Sequence, residues 1–309
     1  MSKTIIYFKH GIGNMIMFSP AIQAMASIDE SKKIDICLDS EWNDQRRPMY
    51  DEYFKNCPFV NDIINYPKQD IINNYNIWFF TGHAENSSAL QKFRQKRIIK
   101  LDVPNWRESK LHEIIWYMLH TFNYGYRGEI PKQFSPVSAN KILQKENDFK
   151  YIGLCDGTFD YRMKGAKQYP YFKQLNDSIK NYYPNVKTVK IGYLNELEDV
   201  DADFDFVNKL GYLDNAQLIS ELDFLITTDS GNMHIADALD VPMLVLFGGS
   251  LVSKNAPKSK KSDILKLNLE CQPCQGMPGF SECTHHDCMC KMESNLVMSK
   301  LRRLLNDIV

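Results

Sequence analysis

Residues Glu221–Ser250 read ELDFLITTDSGNMHIADALDVPMLVLFGGS. Phe224 to Thr227 are apolar or β-branched, which suits a strand buried on both faces of a parallel sheet. Asp229 then offers a helix cap, and Ser230, Gly231 and Asn232 leave the first amides uncovered. Ile235, Ala236, Ala238 and Leu239 form a helical stripe that Pro242 ends, and Met243 to Phe247 form a second apolar strand closed by Gly248-Gly249. This strand–helix–strand unit puts a helix N-terminus at the carboxyl edge of a sheet. Bare N–H groups and the helix dipole make such a position an anion site, most often for a diphosphate.

The run Thr228–Gly248, TDSGNMHIADALDVPMLVLFG, resembles the signature of glycosyltransferase family 9, the heptosyltransferase-like enzymes. The family pattern is close to D-[ST]-G-x-x-H-[IL]-A-x-A-L-x-x-P-x-[VL]-x-L-F-G. The resemblance implies an α/β chain of GT-B architecture, two Rossmann-like domains facing each other across a cleft. It implies transfer of a sugar, a heptose among them, from a nucleotide-diphosphate donor to a cell-surface glycan or glycolipid. At 309 residues the chain accommodates two domains. We expect an acceptor-side domain over 1–145 and a nucleotide-sugar domain over 146–309, with a Cys-rich loop and a closing helix, Glu293–Ile308.

Further toward the N-terminus, Thr4 to Phe8 is a first strand, followed by HGIGNMIMFSPAIQAMASI. Gly11 and Gly13 permit a tight turn, and Ser19 with Pro20 predicts a helix start by the N-cap and N1 rules. The family motif resembles G-[IL]-G-D-x-x-x-x-x-P-A-[IL]; Gly11-Ile12-Gly13 and Pro20-Ala21-Ile22 match it, but Asn14 stands where the family has aspartate. That aspartate is the family's favoured base for the acceptor hydroxyl, and an asparagine orients groups without taking a proton. His10 has a suitable intrinsic pKa for the role, and His83 is comparable. We therefore expect His10 and Asn14 on the catalytic side; if Asn14 only orients the acceptor, Asn14→Asp should retain or raise activity and His10→Ala should lower it. Lys33–Leu38 and Asp62–Tyr66 read as strands, Glu41–Asn56 as a loop or lid, Lys110–Phe122 as a helix and Tyr124–Asn140 as a linker.

In the second half, Tyr151–Cys155 opens the new domain, and Lys167, Tyr169 and Pro170 resemble the family's K-x-[WY]-P, whose lysine faces the donor diphosphate. The resemblance also implies a ribose-binding glutamate after the strand Lys187–Ile191. Glu196 is the match and Glu198 the fallback. The implied donor-binding set is Gly13, Lys167, Glu196, Thr228, Asp229, Ser230, Gly231 and His234. Transfer is expected to be inverting and to need no catalytic cofactor, since no D-x-D sits where it could hold a divalent metal.

The 37 basic and 38 acidic residues nearly cancel, which argues against nucleic acid as partner. The local lysine run Lys258–Lys261 suits a solvated loop, an anionic acceptor or peripheral contact with the inner membrane surface. No targeting segment or membrane-length apolar run is read, so the cytoplasm is the expected compartment. The eight cysteines are then not a disulfide framework. Five cluster at the end: Cys271, Cys274, Cys283, Cys288 and Cys290. The first four suit a structural zinc or iron with no open position. The other reading is a set of reduced thiols packed as small apolar groups. Two rival functions stay open: a silent GT-B nucleotide-sugar-binding protein, and a dehydrogenase in which Asp39 ends the second strand.

Overall fold

The runs predicted as buried strands line up side by side. The computed structural model describes residues 4–8, 10–39, 47–66, 74–75, 77–80, 97–98, 109, 111–157, 164–193, 197–275 and 283–306. The chain divides into two compact units, Met1–Pro136 and Val137–Val309. Among the described residues no helix is long and apolar enough to cross a membrane.

The first unit holds β1 (Thr4–Phe8), β2 (Ile34–Asp39), β3 (Val60–Tyr66), β4 (Ile77–Phe80) and β5 (Arg97–Ile98). They form one parallel sheet in the order β3-β2-β1-β4-β5. Helix α1 (Ile12–Ile28) connects β1 to β2, and α2 (Arg47–Lys55) connects β2 to β3. Helix α1 begins seven residues before Ser19, the expected start, so Pro20 lies inside it. Proline has no N–H to bond the Ile16 carbonyl. The Ser19 hydroxyl donates to that carbonyl at 2.7 Å and accepts from the Phe134 amide at 2.8 Å. The stretch expected as a loop or lid is partly α2. Its Tyr50, Tyr53 and Phe54, at helical spacing, are buried. Helix α3 (Glu113–Tyr124) packs on α1.

The second unit holds β6 (Lys150–Cys155), β7 (Val186–Ile191), β8 (Phe204–Asp205), β9 (Phe224–Thr228), β10 (Met243–Phe247) and β11 (Ser262–Lys266). All pairs are parallel, in the order β11-β10-β9-β6-β7-β8. Every residue of β9 and β10 is buried, as continuous apolar strands between two helical layers must be. The helices are α4 (Lys164–Lys167), α5 (Phe172–Tyr182), α6 (Tyr212–Ser220), α7 (Gly231–Ala238), α8 (Val252–Asn255), α9 (Asp287–Cys290) and α10 (Ser294–Leu305). The closing helix α10 buries Val297, Met298, Leu301 and Leu305 in one core with Leu175 and Ile179 of α5. Leu296 of the same helix is exposed. Arg302 lies over the Tyr182 ring at 3.9 Å.

Candidate functional site

In each sheet the strand order reverses once, and ligands of open parallel sheets gather at the carboxyl ends on either side of such a reversal. In the second unit the reversal lies between β6 and β9. Strand β6 ends at Cys155 and runs into Asp156-Gly157; β9 ends at Thr228 and runs into Asp229, Ser230 and Gly231. The Gly157 amide donates to the Thr228 hydroxyl at 3.2 Å, tying the two turns together. Gly157 has φ +89°, a region glycine enters without steric cost.

The N-cap of α7 is Ser230, with extended backbone and no side-chain cap bond. Asp229 is therefore not the cap that its position suggested. The first amides of α7 stay uncovered, and Ser230 and Gly231 are half-buried between buried neighbours. Asp229 does something else. Its Oδ2 lies 2.7 Å from Lys167 Nζ, and the two side chains are 4% and 11% exposed. Burial alone would raise the Asp229 carboxyl, but Lys167 and then His234 outweigh it and hold the group below the usual carboxylate range. The lysine spends one of its three N–H donors on Asp229, which leaves two beyond this bond.

Asp156, which the sequence reading passed over, accepts from the Tyr169 amide at 2.9 Å. It anchors the loop that carries Lys167, and its place directly after a predicted strand was the available signal. Asn255 of α8 donates to Asp229 Oδ2 at 3.4 Å; no local pattern marks it. His234 is buried, and its Nδ1 has no hydrogen-bond partner among the described residues. Burial lowers its pKa; Asp229 and Asp237 oppose the shift, and Lys167 adds to it. Glu196 lies outside the described residues, as does His83, and Glu198 is exposed.

These shifts give a pH prediction with one sign. A histidine whose folded pKa is depressed binds its proton in the unfolded chain first. Stability is then full above the unfolded value of about 6.5 and declines as pH falls toward the folded value. Asp229 adds its own loss only below about pH 4. Denaturant midpoints of the second unit should fall between neutral pH and pH 5, and His234→Gln should flatten that slope. Equal slopes in the two proteins would reject the assignment.

In the first unit the structure puts Gly13 and Asn14 in the opening turn of α1, after the end of β1. Residues Gly11 to Asn14 are half-buried, whereas Met15 to Ile22 are buried. His10 is 4% exposed; its carbonyl accepts from the Tyr50 hydroxyl at 2.8 Å. Its ring packs edge-on against Phe8 and Tyr117. Asn14 Nδ2 donates to the Tyr117 hydroxyl at 3.1 Å.

The cysteine region is built onto the second unit's site. All eight cysteines are free thiols; Cys288 is buried, Cys274 and Cys283 half-buried, Cys271 and Cys290 exposed. Burial, followed by Cys274, Cys283 and Cys271, pushes the Cys288 thiol up to about 12. Cys274 is raised by burial and then by Cys283 and Cys271. These are the four expected ligands, and they lie near enough to feel one another's charge. Among the described residues, no three His, Cys, Asp or Glu side chains are yet arranged to hold a metal ion. The Cys274 and Gln275 amides donate to the Gly249 carbonyl, and the Gly249 amide donates to Ala166, next to Lys167. The His286 ring lies against Gly165, and Met289 against Gly248.

Residues 193–285 match the family model described as glycosyltransferase family 9 (heptosyltransferase). The lipooligosaccharide heptosyltransferase 2 of Haemophilus influenzae is 31% identical over 88 residues, 28% of this chain and 25% of the relative. The match thus spans about a quarter of that protein's length. The structure of Escherichia coli ADP-heptose LPS heptosyltransferase II superposes with a TM-score of 0.73 at 17% identity, covering 99% of each chain. The dodecameric iron-containing heptosyltransferase TibC of enterotoxigenic E. coli, solved with ADP-D-β-D-heptose, gives 0.69 at 13% identity, over 100% of this chain and 77% of the other. At such identities the likeness speaks for the fold: an α/β chain with parallel sheets, shared with GT-B heptosyltransferases. Over residues 193–285 the chain is thus similar to glycosyltransferase family 9 (heptosyltransferase), and its fold is similar to that of heptosyltransferases over its whole length.

Proposed function

We propose that this chain is a glycosyltransferase that moves a heptose or related sugar from a nucleotide diphosphate to a cell-surface glycan or glycolipid, with inversion and no metal in the transfer step. The observation that carries the reading is the Lys167–Asp229 pair beside the uncapped start of α7, at the reversal of the second sheet. As the sugar–phosphate bond breaks, charge grows on the leaving diphosphate. Fixed amides and a fixed ammonium stabilise that charge without reorganising. Thr228, Ser230, Gly231 and His234 line the same turn, and Glu196 is assigned to the ribose. On the acceptor side, Asn14 receives the hydroxyl and His10 takes its proton. The reaction belongs at the cytoplasmic membrane surface, where Lys258–Lys261 would meet anionic lipid.

Calorimetric titration with ADP, UDP and GDP tests the donor site. At least one should bind, ADP first given the neighbours' ligands, and no binding by any at millimolar concentration would sink the reading. A silent nucleotide-sugar-binding protein is the second reading, favoured by Asn14 in place of an acid; a donor that binds but is never consumed would support it. Cys271, Cys274, Cys283 and Cys288 are proposed to hold one zinc or iron, with TibC's iron as a parallel. Four thiolates would fill the coordination shell and brace a segment poor in apolar side chains. Elemental analysis of untagged protein should find close to one equivalent. Less than a tenth (roughly, allowing for loss on purification) would leave packed thiols.

A further inference from the structure

Asp229, Ser230 and Asn232 are all of the residue types that cap helices, and they surround the start of α7. Yet no side chain caps that helix. Each of the three is engaged elsewhere. Asp229 is held by Lys167. The Ser230 hydroxyl lies 3.3 Å from that of Thr227. Asn232 is held at both ends of its amide: Oδ1 accepts from Asn215 Nδ2 at 2.8 Å, and Nδ2 donates to Cys155 Sγ at 3.0 Å.

Asn215 comes from α6, which packs on α7, and Cys155 is the last residue of β6. Cys155 and Thr227 are register partners across the reversal of the sheet. The anchors of Asn232 and of Ser230 thus stand side by side at the strand ends. Asn215, Asn232 and Cys155 are 3%, 8% and 1% exposed, so water does not replace a lost partner. An Asn232 carbonyl deprived of Asn215 would be a buried acceptor without a donor, which is costly. The donors within reach of an asparagine so near a helix start are the helix's own first amides. A cap formed there would occupy the groups that an anion needs. In the same turn the buried His234 Nδ1 is a further polar atom with no hydrogen-bond partner among the described residues.

We propose that Asn215 and Cys155 are positioning residues that hold the Asn232 side chain away from the start of α7, and so keep its first amides open to the diphosphate of a nucleotide. The proposal rests on the donor-site reading above and adds to it the residues that keep the site uncapped.

The test compares wild type with Asn215→Leu, which removes the donor at similar size, and with Asn215→Leu/Asn232→Ala. It reads thermal unfolding, calorimetric affinity for ADP, and hydrogen exchange of the Gly231, Asn232 and Met233 amides in ligand-free protein. Asn215→Leu should slow that exchange and weaken ADP binding about fivefold or more, the scale of one helix cap. The double variant should restore fast exchange and most of the ADP affinity without raising the unfolding temperature. A purely structural contact predicts instead an affinity that follows the unfolding temperature through all three proteins. That outcome overturns the proposal, as does exchange at 231–233 that is the same in wild type and Asn215→Leu. Should Asn215→Leu not fold, Cys155→Ala takes its place and is read against Cys155→Ser, whose hydroxyl still accepts. The alanine variant should slow the exchange and the serine variant should keep the wild-type rate; equal rates in the two overturn the proposal. Wild-type protein that fails to bind ADP counts against the donor reading, while the exchange comparison still decides whether Asn232 is held off the amides.

Discussion

Lys167→Ala should destabilise the second unit by about 3–5 kcal/mol, the cost of leaving a buried carboxylate without its counter-charge. Asp229 is 4% exposed and its ammonium partner is 2.7 Å away. Asn255 also donates to that oxygen, but over a long contact of 3.4 Å. The double variant Lys167→Met/Asp229→Asn removes both charges and keeps the volumes. Its stability should lie within about 1 kcal/mol of wild type, since a buried pair is often neutral against uncharged replacements. Chemical denaturation, followed by a probe in residues 137–309, measures both. A single variant as stable as the double would mean that the pair carries no coupling. Diphosphate binding separates function from stability. Both variants lack the ammonium, so both should lose about tenfold or more in ADP affinity, in line with about 1.5–3 kcal/mol for a hydrogen bond to a charged group.

Gly248→Ala carries the second large effect. A Cβ there would stand 2.0 Å from the Ala166 carbonyl oxygen and 2.7 Å from Met289 Sδ. The methionine can swing aside, but the carbonyl is backbone and already accepts from the Gly249 amide. Overpacking of this kind costs about 1–3 kcal/mol, and the strain falls on the residue before Lys167. The unfolding midpoint should drop and nucleotide affinity should drop with it. Adding Met289→Ala should relieve only the sulfur contact. Full restoration by that second change would show that the α4 backbone is not what Gly248 accommodates.

What was legible in the sequence is what local pattern encodes. Phe224–Thr228 and Met243–Phe247 read as strands because a parallel strand covered on both faces shows an unbroken apolar run. The helix between them was legible from its stripe. Lys167 and Thr228 were singled out by resemblance to the family's motifs, and Asp229, Ser230 and Gly231 also because they form a short strand-end turn at a helix start. Even local rules failed where a distant partner changed the outcome. Pro20 sits inside α1 because Ser19 satisfies the carbonyl that proline abandons, and Ser19 is itself held by Phe134. The polar, aromatic stretch before Asn56 is partly a helix because the body of the first unit buries its rings.

Pairings between segments far apart in the chain were decided by tertiary structure alone. Asp229 was read as a cap for its own helix, and folding instead set it against Lys167, sixty-two positions earlier, leaving Ser230 as the uncapped N-cap. Asn14 was read as standing in place of an acid, and folding set it against the Tyr117 hydroxyl on another helix. Spacing along a chain determines which side chains share a face. It does not determine which faces meet, because that depends on how whole helices and strands pack to bury apolar surface. A polar side chain's partner is fixed only after that packing is complete.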